Sequence, residues 1–428
     1  MDPNNTVLTG DVLIRDGVIA EIGPSGTLEI PPCVQQVDAT GCYVLPGFVQ
    51  AHVHLCQTLF RGFAEDLALL PWLQERIWPY EGAHTAESLR VSAELGMAEL
   101  LLGGTTAALD MGTVHETDAI FEAALDMGFR LTSGKAMMDL GEIRPGRLSE
   151  TTDQSLAESE RLAERWHCAG NGLLRYAYAP RFILSCTPDL MRQTVQMAAE
   201  RDCLLHTHAS ENPGEIEAVR EITGADNIVA LHALGFTGKN VVLAHCVWLS
   251  EEEETILAET GTKVAHCPST NLKLSSGVAE IPELRAKGIT VGIGADGAPC
   301  NNRLSAFTEM RLASLLQKPR IGPDAMPAMD VLRMATIEGA KVLGIDHLVG
   351  SLEAGKRADL IVVEGRRPHL FPLAPPETVL VHAATAADVR DVFVDGQWLV
   401  RQGELARVNM GQMLDRAQQA NADLLQRL

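Results

Sequence analysis

The chain has 428 residues, of which 46% are hydrophobic and 21% are charged, so it can bury a large core and leaves little room for disorder. Its formal net charge of -21 argues against nucleic acid and anionic membranes as partners, and a small molecule is expected instead. Nine scattered cysteines without a CxxC pair and the lack of a long apolar stretch predict a soluble cytoplasmic protein with reduced thiols.

Both ends of the chain alternate short β-like pieces with turns. Asp16-Gly17 and Asp395-Gly396 are typical of hairpin turns, and pieces such as TLEI and CVQQVDA complete the N-terminal pattern. We therefore expect residues 1–44 and 345–408 to form one small β-sandwich. Residues 409–428 are expected to form a helix that packs on the body of the protein.

The middle of the chain, residues 45–344, alternates apolar strands with amphipathic helical segments. Eight strands separated by helices predict an α/β fold of the (β/α)8 barrel type. Residues 55–85 form a long insertion after the first strand, and we expect this insertion to act as a partial lid. The predicted strands are 43–54, 104–112, 130–138, 173–182, 203–210, 241–248, 263–269 and 290–296.

Polar residues gather where several predicted strands end, which is where barrels of this type carry their active sites. Six of the thirteen histidines fall at four strand ends. Three imidazoles and a carboxylate suit Zn²⁺, with Fe²⁺ as the alternative, and leave a position open for water. A bound divalent ion lowers the pKa of that water to near neutral. The residues at these ends are His52, His54, His206, His208, Glu211, His245, His266 and Asp296.

The motifs around these residues resemble the amidohydrolase superfamily, in particular its branch of cytosine, guanine and adenosine-type deaminases. The resemblance covers nearly the whole chain, in the order PGFVQAHVHLCQTLFRG, PWLQERIWPYE, HTHASE, LAHCVWLS, AHCPSTNLKLSSG, GADGAPCNN and GSLEAGKRADLIVVE. The sandwich of this family usually opens with a further apolar strand. This chain begins MDPNN near where that strand would end, so we expect a shortened N-terminal β layer.

The resemblance implies a site that binds a single metal ion. Binuclear relatives use a carbamylated lysine at the end of strand four, where this chain has the lysine-free run 176–181. Glu211 would shuttle protons, and His245 would orient or polarise the attacking water. Asp296 would take the proton of that water. From their strand positions alone, His206 is expected behind the ligands or in the core, and His266 either behind the ligands or as a packed residue at its strand end. The implied metal ligands are His52, His54, His208 and Asp296.

The resemblance also suggests a substrate. PWLQERIWPYE, with Trp72, Trp78 and Glu81, resembles the segment of S-adenosylhomocysteine and methylthioadenosine deaminases whose glutamate binds ribose hydroxyls. Those enzymes usually carry a histidine where this chain has Arg181. Arg181 in PRF and Gln57 resemble the pair that reads the purine ring in guanine deaminase. The expected substrate-binding residues are Gln57, Trp78, Glu81, Arg181 and Glu211.

An enzyme that releases ammonia from an adenosine-type nucleoside is therefore expected, with 5′-deoxyadenosine, methylthioadenosine and S-adenosylhomocysteine as candidate substrates. The alternatives are a guanine or related purine or pterin deaminase, an s-triazine hydrolase and a non-catalytic barrel used for assembly. A non-catalytic barrel predicts degraded ligands, whereas all the implied ligands and Glu211 are present. We expect a homo-oligomer, either a dimer or a tetramer.

Overall fold

The computed structural model describes residues 1–140, 148–372 and 374–428. Its strands form a parallel sheet, a smaller antiparallel sheet and an N-terminal hairpin. The strands are Gly10–Arg15 (β1), Val18–Pro24 (β2), Cys42–Pro46 (β3), Phe48–His54 (β4), Thr105–Met111 (β5), Arg130–Gly134 (β6), Ala136–Met137 (β7), Leu174–Pro180 (β8), Leu204–Ala209 (β9), Val241–His245 (β10), Lys263–His266 (β11), Val291–Ile293 (β12), Asp296–Gly297 (β13), Leu360–Glu364 (β14), Val389–Val394 (β15), Gln397–Arg401 (β16) and Glu404–Leu405 (β17).

Helices connect the parallel strands and close the chain. The α-helices are Leu69–Trp72 (α1), Trp78–Gly82 (α2), Ala86–Leu102 (α3), Asp118–Met127 (α4), Thr152–Trp166 (α5), Ala169–Gly172 (α6), Pro188–Glu200 (α7), Pro213–Thr223 (α8), Asn227–Ala233 (α9), Glu251–Thr260 (α10), Pro268–Lys273 (α11), Ile281–Ala286 (α12), Ala298–Asn301 (α13), Ala306–Leu315 (α14), Lys318–Ile321 (α15), Ala328–Met334 (α16), Ile337–Val342 (α17), Pro376–His382 (α18) and Met410–Leu425 (α19). A π-helical turn spans Leu73–Ile77, and 3₁₀ turns span Leu55–Phe60, Ile183–Ser185, Pro368–Leu370 and Ala386–Asp388.

The parallel sheet closes on itself as a barrel. Its strand order is β12-β11-β10-β9-β8-β6-β5-β4-β13, and β7 pairs with β8. The predicted eighth strand, 290–296, is broken at Gly294 and Ala295. Its first part, β12, pairs with β11, whereas its last two residues, β13, pair with β4. The predicted (β/α)8 barrel is confirmed, and the break brings Asp296 beside the end of the first barrel strand.

The predicted first strand, 43–54, is two strands that belong to different sheets. β3 pairs with β14 of the antiparallel sheet, while β4 pairs with β5 of the barrel. Gly47 lies between them, and its N–H donates to the carbonyl of Asp359 at 3.1 Å. A Cβ at Gly47 would stand 2.1 Å from the side chain of Thr106, so the chain crosses between the two sheets at a point with no room for a side chain.

Both ends of the chain contribute to the small β layers. The five-stranded sheet has the order β17-β16-β15-β14-β3, and the hairpin of β1 and β2 packs against it through Ile19, Leu360 and Phe393. Both predicted Asp-Gly hairpin turns are present. The pieces TLEI and CVQQVDA are not strands, because their apolar side chains, including Ile30 and Val37, are exposed and find no sheet to pack on. The first strand begins at Gly10.

The segment after the first barrel strand runs as a 3₁₀ turn, a loop and then one irregular helix through α1, the π-helical turn and α2. The C-terminal helix α19 packs on the body through Met413, Ala417 and Leu424. No helix among residues 1–140, 148–372 and 374–428 is long and apolar enough to cross a membrane.

Candidate active site

Four imidazoles and one carboxylate converge at the carboxyl ends of the barrel strands. The Nε2 atoms of His52 and His54 each lie 3.4 Å from Oδ1 of Asp296. Nε2 of His54 lies 3.2 Å from Nε2 of His208, and Nε2 of His245 lies 3.8 Å from Oδ2 of Asp296. The structure therefore brings together His52, His54, His208 and Asp296, the residues expected to bind one metal ion.

The outer ring nitrogens of two of these histidines are held by the main chain. Nδ1 of His54 donates to the carbonyl of Met111 at 2.8 Å, and Nδ1 of His208 donates to the carbonyl of Arg181 at 2.6 Å. Because a neutral imidazole carries one proton, these bonds leave Nε2 of both rings as a bare lone pair.

A third histidine is held by another histidine. Nδ1 of His206 donates to the carbonyl of Val242 at 3.1 Å, so Nε2 of His206 accepts from Nδ1 of His52 at 2.8 Å. These two hydrogen bonds also leave Nε2 of His52 without a proton. That atom is buried and has no hydrogen-bond partner in the described part of the protein. His206 thus orients His52 from behind, as metal-ligating histidines usually require.

Burial keeps these rings neutral. It lowers the pKa of His54 to about 3 and also lowers the pKa of His52 and His208. Asp296 is buried among these rings, and a cation held by them would keep its carboxylate ionised. Three neutral imidazoles and an ionised carboxylate are the forms in which these groups bind a divalent cation.

The arrangement fits a metal ion. Without a cation, two bare Nε2 atoms at 3.2 Å would repel each other, and the buried Nε2 atoms of His52 and His245 have no partner among the described residues. The donor set of nitrogen and carboxylate oxygen matches the preference of zinc and of iron(II). The site is thus a His/Asp metal-binding site.

Glu211 and His245 stand beside this centre. Oε2 of Glu211 lies 3.5 Å from Nε2 of His245. Burial, followed by the charges of Asp296 and Glu215, raises the pKa of Glu211 well above its usual value. Nδ1 of His245 donates to Oδ1 of Asn271 at 2.9 Å, which leaves its Nε2 free to accept a hydrogen bond. Both groups can therefore exchange or orient protons next to the ligands.

Gln57, Glu81 and Arg181 form a buried polar cluster at the wall of the site. Nη1 and Nη2 of Arg181 donate to the two carboxylate oxygens of Glu81 at 2.5 and 3.2 Å, and Nε2 of Gln57 donates to Oε1 of Glu81 at 2.9 Å. Burial opposes the charge on Arg181, but Glu81 outweighs it and raises the pKa of Arg181. Glu81 is therefore engaged by protein partners on both oxygens.

A cavity of about 30 Å³, room for about one water molecule, lies over the histidines. Leu69, Trp72 and Leu73 of the irregular helix line it, together with Gln57 and Arg181. The irregular helix of the segment expected to act as a partial lid therefore forms part of the wall of this cavity.

Neither Trp78 nor Glu81, both expected to bind substrate, lines the cavity, and His266 was expected behind the ligands. Trp78 packs in an apolar cluster with Met111 and Val114, and it is Trp72 that lines the cavity. His266 is buried at the end of β11, and neither ring nitrogen has a hydrogen-bond partner among the described residues. The expected place of His266 behind a ligand therefore has no bond to support it.

Comparison with known proteins decides the family. The family model described as "Amidohydrolase family" matches residues 43–399. The chain belongs to the amidohydrolase family.

Relatives within the amidohydrolase family are similar over nearly the whole chain. A 5′-deoxyadenosine deaminase from Methanothermobacter thermautotrophicus is 39% identical over 97% of this chain and 95% of its own length. A 5-methylthioadenosine/S-adenosylhomocysteine deaminase from Moorella thermoacetica is 38% identical over 92% and 91%. The crystal structure of an adenosine deaminase from Xanthomonas campestris with bound zinc is 29% identical, with a TM-score of 0.90 over 98% of this chain and 94% of that one.

Lys135 does not serve this amidohydrolase as a metal ligand. Its Nζ donates to both carboxylate oxygens of Glu150 at 2.7 Å and is fully buried. The fourth barrel strand, β8, ends where binuclear relatives carry a lysine. Here Arg181 follows the strand, and its carbonyl accepts a hydrogen bond from His208.

Sequence reasoning missed several residues that support the site. Asn271 lies in the motif AHCPSTNLKLSSG but was not singled out, although it fixes the tautomer of His245. Ser276 of the same motif donates to Oε1 of Glu211 at 3.4 Å, and Glu215 accepts from the N–H of Glu211 at 2.8 Å. The position of Glu215, four residues after Glu211 at the start of a helix, was the available signal.

Proposed function

We propose that this protein is a hydrolytic deaminase that replaces the exocyclic amine of a purine, with an adenosine-type nucleoside as the favoured substrate, and releases ammonia. The observation that carries the proposal is the convergence of His52, His54, His208 and Asp296 with Glu211 and His245 beside them. The names of the two most similar relatives described above, which act on 5′-deoxyadenosine and on methylthioadenosine or S-adenosylhomocysteine, support an adenosine-type substrate.

The proposed roles follow from the positions of the side chains. His52, His54, His208 and Asp296 would hold one zinc ion, which when bound supplies a water molecule activated for attack at neutral pH. His245 accepts a hydrogen bond at its free Nε2 and orients that water. Asp296 accepts the proton of the water through its second oxygen, which faces His245.

Glu211 completes the proton transfers. It holds a proton close to Nε2 of His245 and would deliver it to the ring nitrogen beside the carbon under attack. A new carbon–oxygen bond forms, and Glu211, now ionised, takes the proton of the new hydroxyl and passes it to the amine as the carbon–nitrogen bond breaks. The proton held by Asp296 then returns to Glu211, and both carboxyl groups regain their starting states. One water is consumed, and one ammonia and the oxo purine are produced.

A guanine-type purine is the second candidate. Arg181 and Gln57 both line the cavity, and they resemble the pair that reads the ring in guanine deaminase. The engagement of Glu81 by Arg181 also distinguishes this site from one in which a free glutamate binds ribose. These contacts favour recognition of the ring itself.

Ammonia release by the zinc-loaded protein tests the proposal. The panel contains adenosine, 5′-deoxyadenosine, methylthioadenosine, S-adenosylhomocysteine and guanine. We expect kcat/KM for at least one adenosine derivative to exceed that for guanine by about tenfold or more. A preference for guanine selects the second candidate, and no ammonia from any compound overturns the proposal.

A further inference from the structure

The contacts of Glu81 suggest a role for this residue that differs from sugar binding. Its side chain is fully buried, and the guanidinium of Arg181 that meets it is only 3% exposed. Oε1 accepts hydrogen bonds from both Arg181 and Gln57, and Oε2 accepts from Arg181 at 2.5 Å. A carboxylate oxygen has two lone pairs, so Oε1 has no capacity left for a substrate hydroxyl.

Glu81 also lies on the far side of its two partners. Gln57 and Arg181 line the cavity above the histidines, whereas Glu81 is not among the described residues that line it. The carboxylate fixes the direction of the Gln57 amide, because its Nε2 donates to Glu81 and its Oε1 is left without a partner in the described chain. Oε1 of Gln57 lies against Gly297, where a Cβ would stand 2.1 Å away.

We infer that Glu81 is a positioning residue, which aims the Arg181 guanidinium and the Gln57 amide at the substrate and does not itself bind the ribose hydroxyls. This inference rests on the proposed function for the identity of the substrate. Arg181 then presents its remaining N–H groups, and Gln57 presents an acceptor oxygen, to the bound purine nucleoside. Substrate contact is assigned to this pair, and Glu81 acts only through them.

Arg181 also connects this cluster to the metal ligands. Its carbonyl accepts from Nδ1 of His208, while its guanidinium is held by Glu81. The main-chain bond does not depend on the guanidinium, so loss of Glu81 should leave the His208 ring in place. Metal content therefore separates a local change in substrate contact from general damage to the site.

The test compares Glu81→Gln with wild type on adenosine and on 2′,3′-dideoxyadenosine, which lacks both ribose hydroxyls. If Glu81 acts through its partners, kcat/KM falls by the same factor on both substrates, about 10- to 100-fold and mainly through KM. If Glu81 binds the ribose, the loss appears with adenosine and disappears with the dideoxy compound. The second result overturns the inference.

A double substitution provides the independent arm. Arg181→Gln alone and Glu81→Gln/Arg181→Gln should differ in kcat/KM far less than wild type and Glu81→Gln do, because once the guanidinium is gone Glu81 positions only the Gln57 amide. A double variant that is much weaker than Arg181→Gln contradicts the inference. The double variant removes both charges, so it is expected to fold even where Glu81→Gln alone leaves a buried arginine unpaired.

Asp359→Asn is the matched control, because Asp359 forms a buried ion pair with Arg130 outside the site. It should lower stability and leave KM and zinc content unchanged. Calorimetric binding of adenosine and 2′,3′-dideoxyadenosine separates this inference from the proposed function. If both nucleosides bind but no ammonia is released, the proposed reaction is refuted, and the effect of Glu81→Gln can still be compared between the two nucleosides by their binding. If neither nucleoside binds, the proposed function and this inference are both overturned.

Discussion

The Nε2 atoms of His54 and His208 face each other at 3.2 Å, and each ring has already committed its Nδ1 proton to a main-chain carbonyl. Two lone pairs at this distance repel each other unless a cation lies between them. Because the tautomers are set by the carbonyls of Met111 and Arg181, the fold prepares this pair of donors before any metal binds.

His208→Ala should therefore abolish metal binding. We expect the wild-type protein to contain one zinc ion per chain by inductively coupled plasma mass spectrometry and the variant to contain only a small fraction of that. Ammonia release should fall with the metal. His347→Ala, which removes an exposed histidine, serves as the control and should keep full metal content. A variant that retains stoichiometric zinc would refute the ligand assignment.

Glu211→Gln should lose activity while keeping its metal, because Glu211 is assigned a proton-transfer role and no ligand role. A fall in kcat of about 10²- to 10⁴-fold is expected from the loss of a general acid–base group. Glu217→Gln changes an exposed glutamate on α8, the helix that begins just after Glu211, and should behave as wild type. Retention of kcat in Glu211→Gln would remove this residue from the mechanism.

Gly294→Ala should disturb the metal-binding site by displacing the main chain of His52. A Cβ at this position would stand 2.7 Å from the carbonyl oxygen and 2.9 Å from the nitrogen of His52, and main-chain atoms cannot yield as a flexible side chain would. Overpacking of this kind costs about 1–3 kcal/mol, and here it also displaces a ligand. Lower zinc content and kcat are expected, whereas Gly214→Ala, whose nearest neighbour is 3.5 Å away, should change neither.

Glu309 should make stability depend on pH. Burial raises its pKa to about 7, despite hydrogen bonds from Ser269 and Asn301, and the nearby charge of Asp296 adds to the shift. The folded state then keeps a proton that the unfolded chain releases near pH 4.5, so the free energy of unfolding falls as the pH rises from about 4.5 to 7.

Urea denaturation at pH 5 and pH 7.5 measures this effect. Wild type should lose about 2–3 kcal/mol more than Glu309→Gln over this interval, since each pKa unit corresponds to about 1.4 kcal/mol. Parallel losses in the two proteins would show that Glu309 is ionised in the folded state.

Asp359→Asn should destabilise the contact between the barrel and the small antiparallel sheet. Asp359 accepts from Nε and Nη2 of Arg130 at 2.7 and 3.0 Å, and both side chains are buried. Removal of one partner from a buried ion pair costs about 3–5 kcal/mol. Asp395→Asn, at the more exposed second partner of Arg130, should cost about 1 kcal/mol or less. Equal costs in denaturation experiments would contradict this ranking.

The convergence of the polar residues at the strand ends could be predicted because their signal is local. His52 and His54 are two residues apart on a strand, and His208, His245 and Asp296 each follow an apolar run that ends where the barrel opens. Barrel topology then brings these strand ends together without further information. The crossing at Gly47 could not be predicted in the same way, because it depends on Thr106 and Asp359, which are distant in sequence.

The contacts among the expected substrate-binding residues were less predictable for a physical reason. A glutamate such as Glu81 has the same sequence signal whether its oxygens are free or are held by an arginine, and Arg181 lies 100 residues away. The choice between Trp72 and Trp78 was equally hidden, since both lie in one irregular helix and the π-helical turn between them changes which faces the cavity.

Gly47 has a practical consequence for anyone who wishes to dissect this enzyme. A single residue separates the edge strand β3 from β4, the strand that carries His52 and His54. A truncated fragment that starts at the barrel would expose the unpaired edge of β14 and free the anchored end of β4. Chimeras between relatives should therefore exchange residues 42–54 together with their partner strands as one inseparable block.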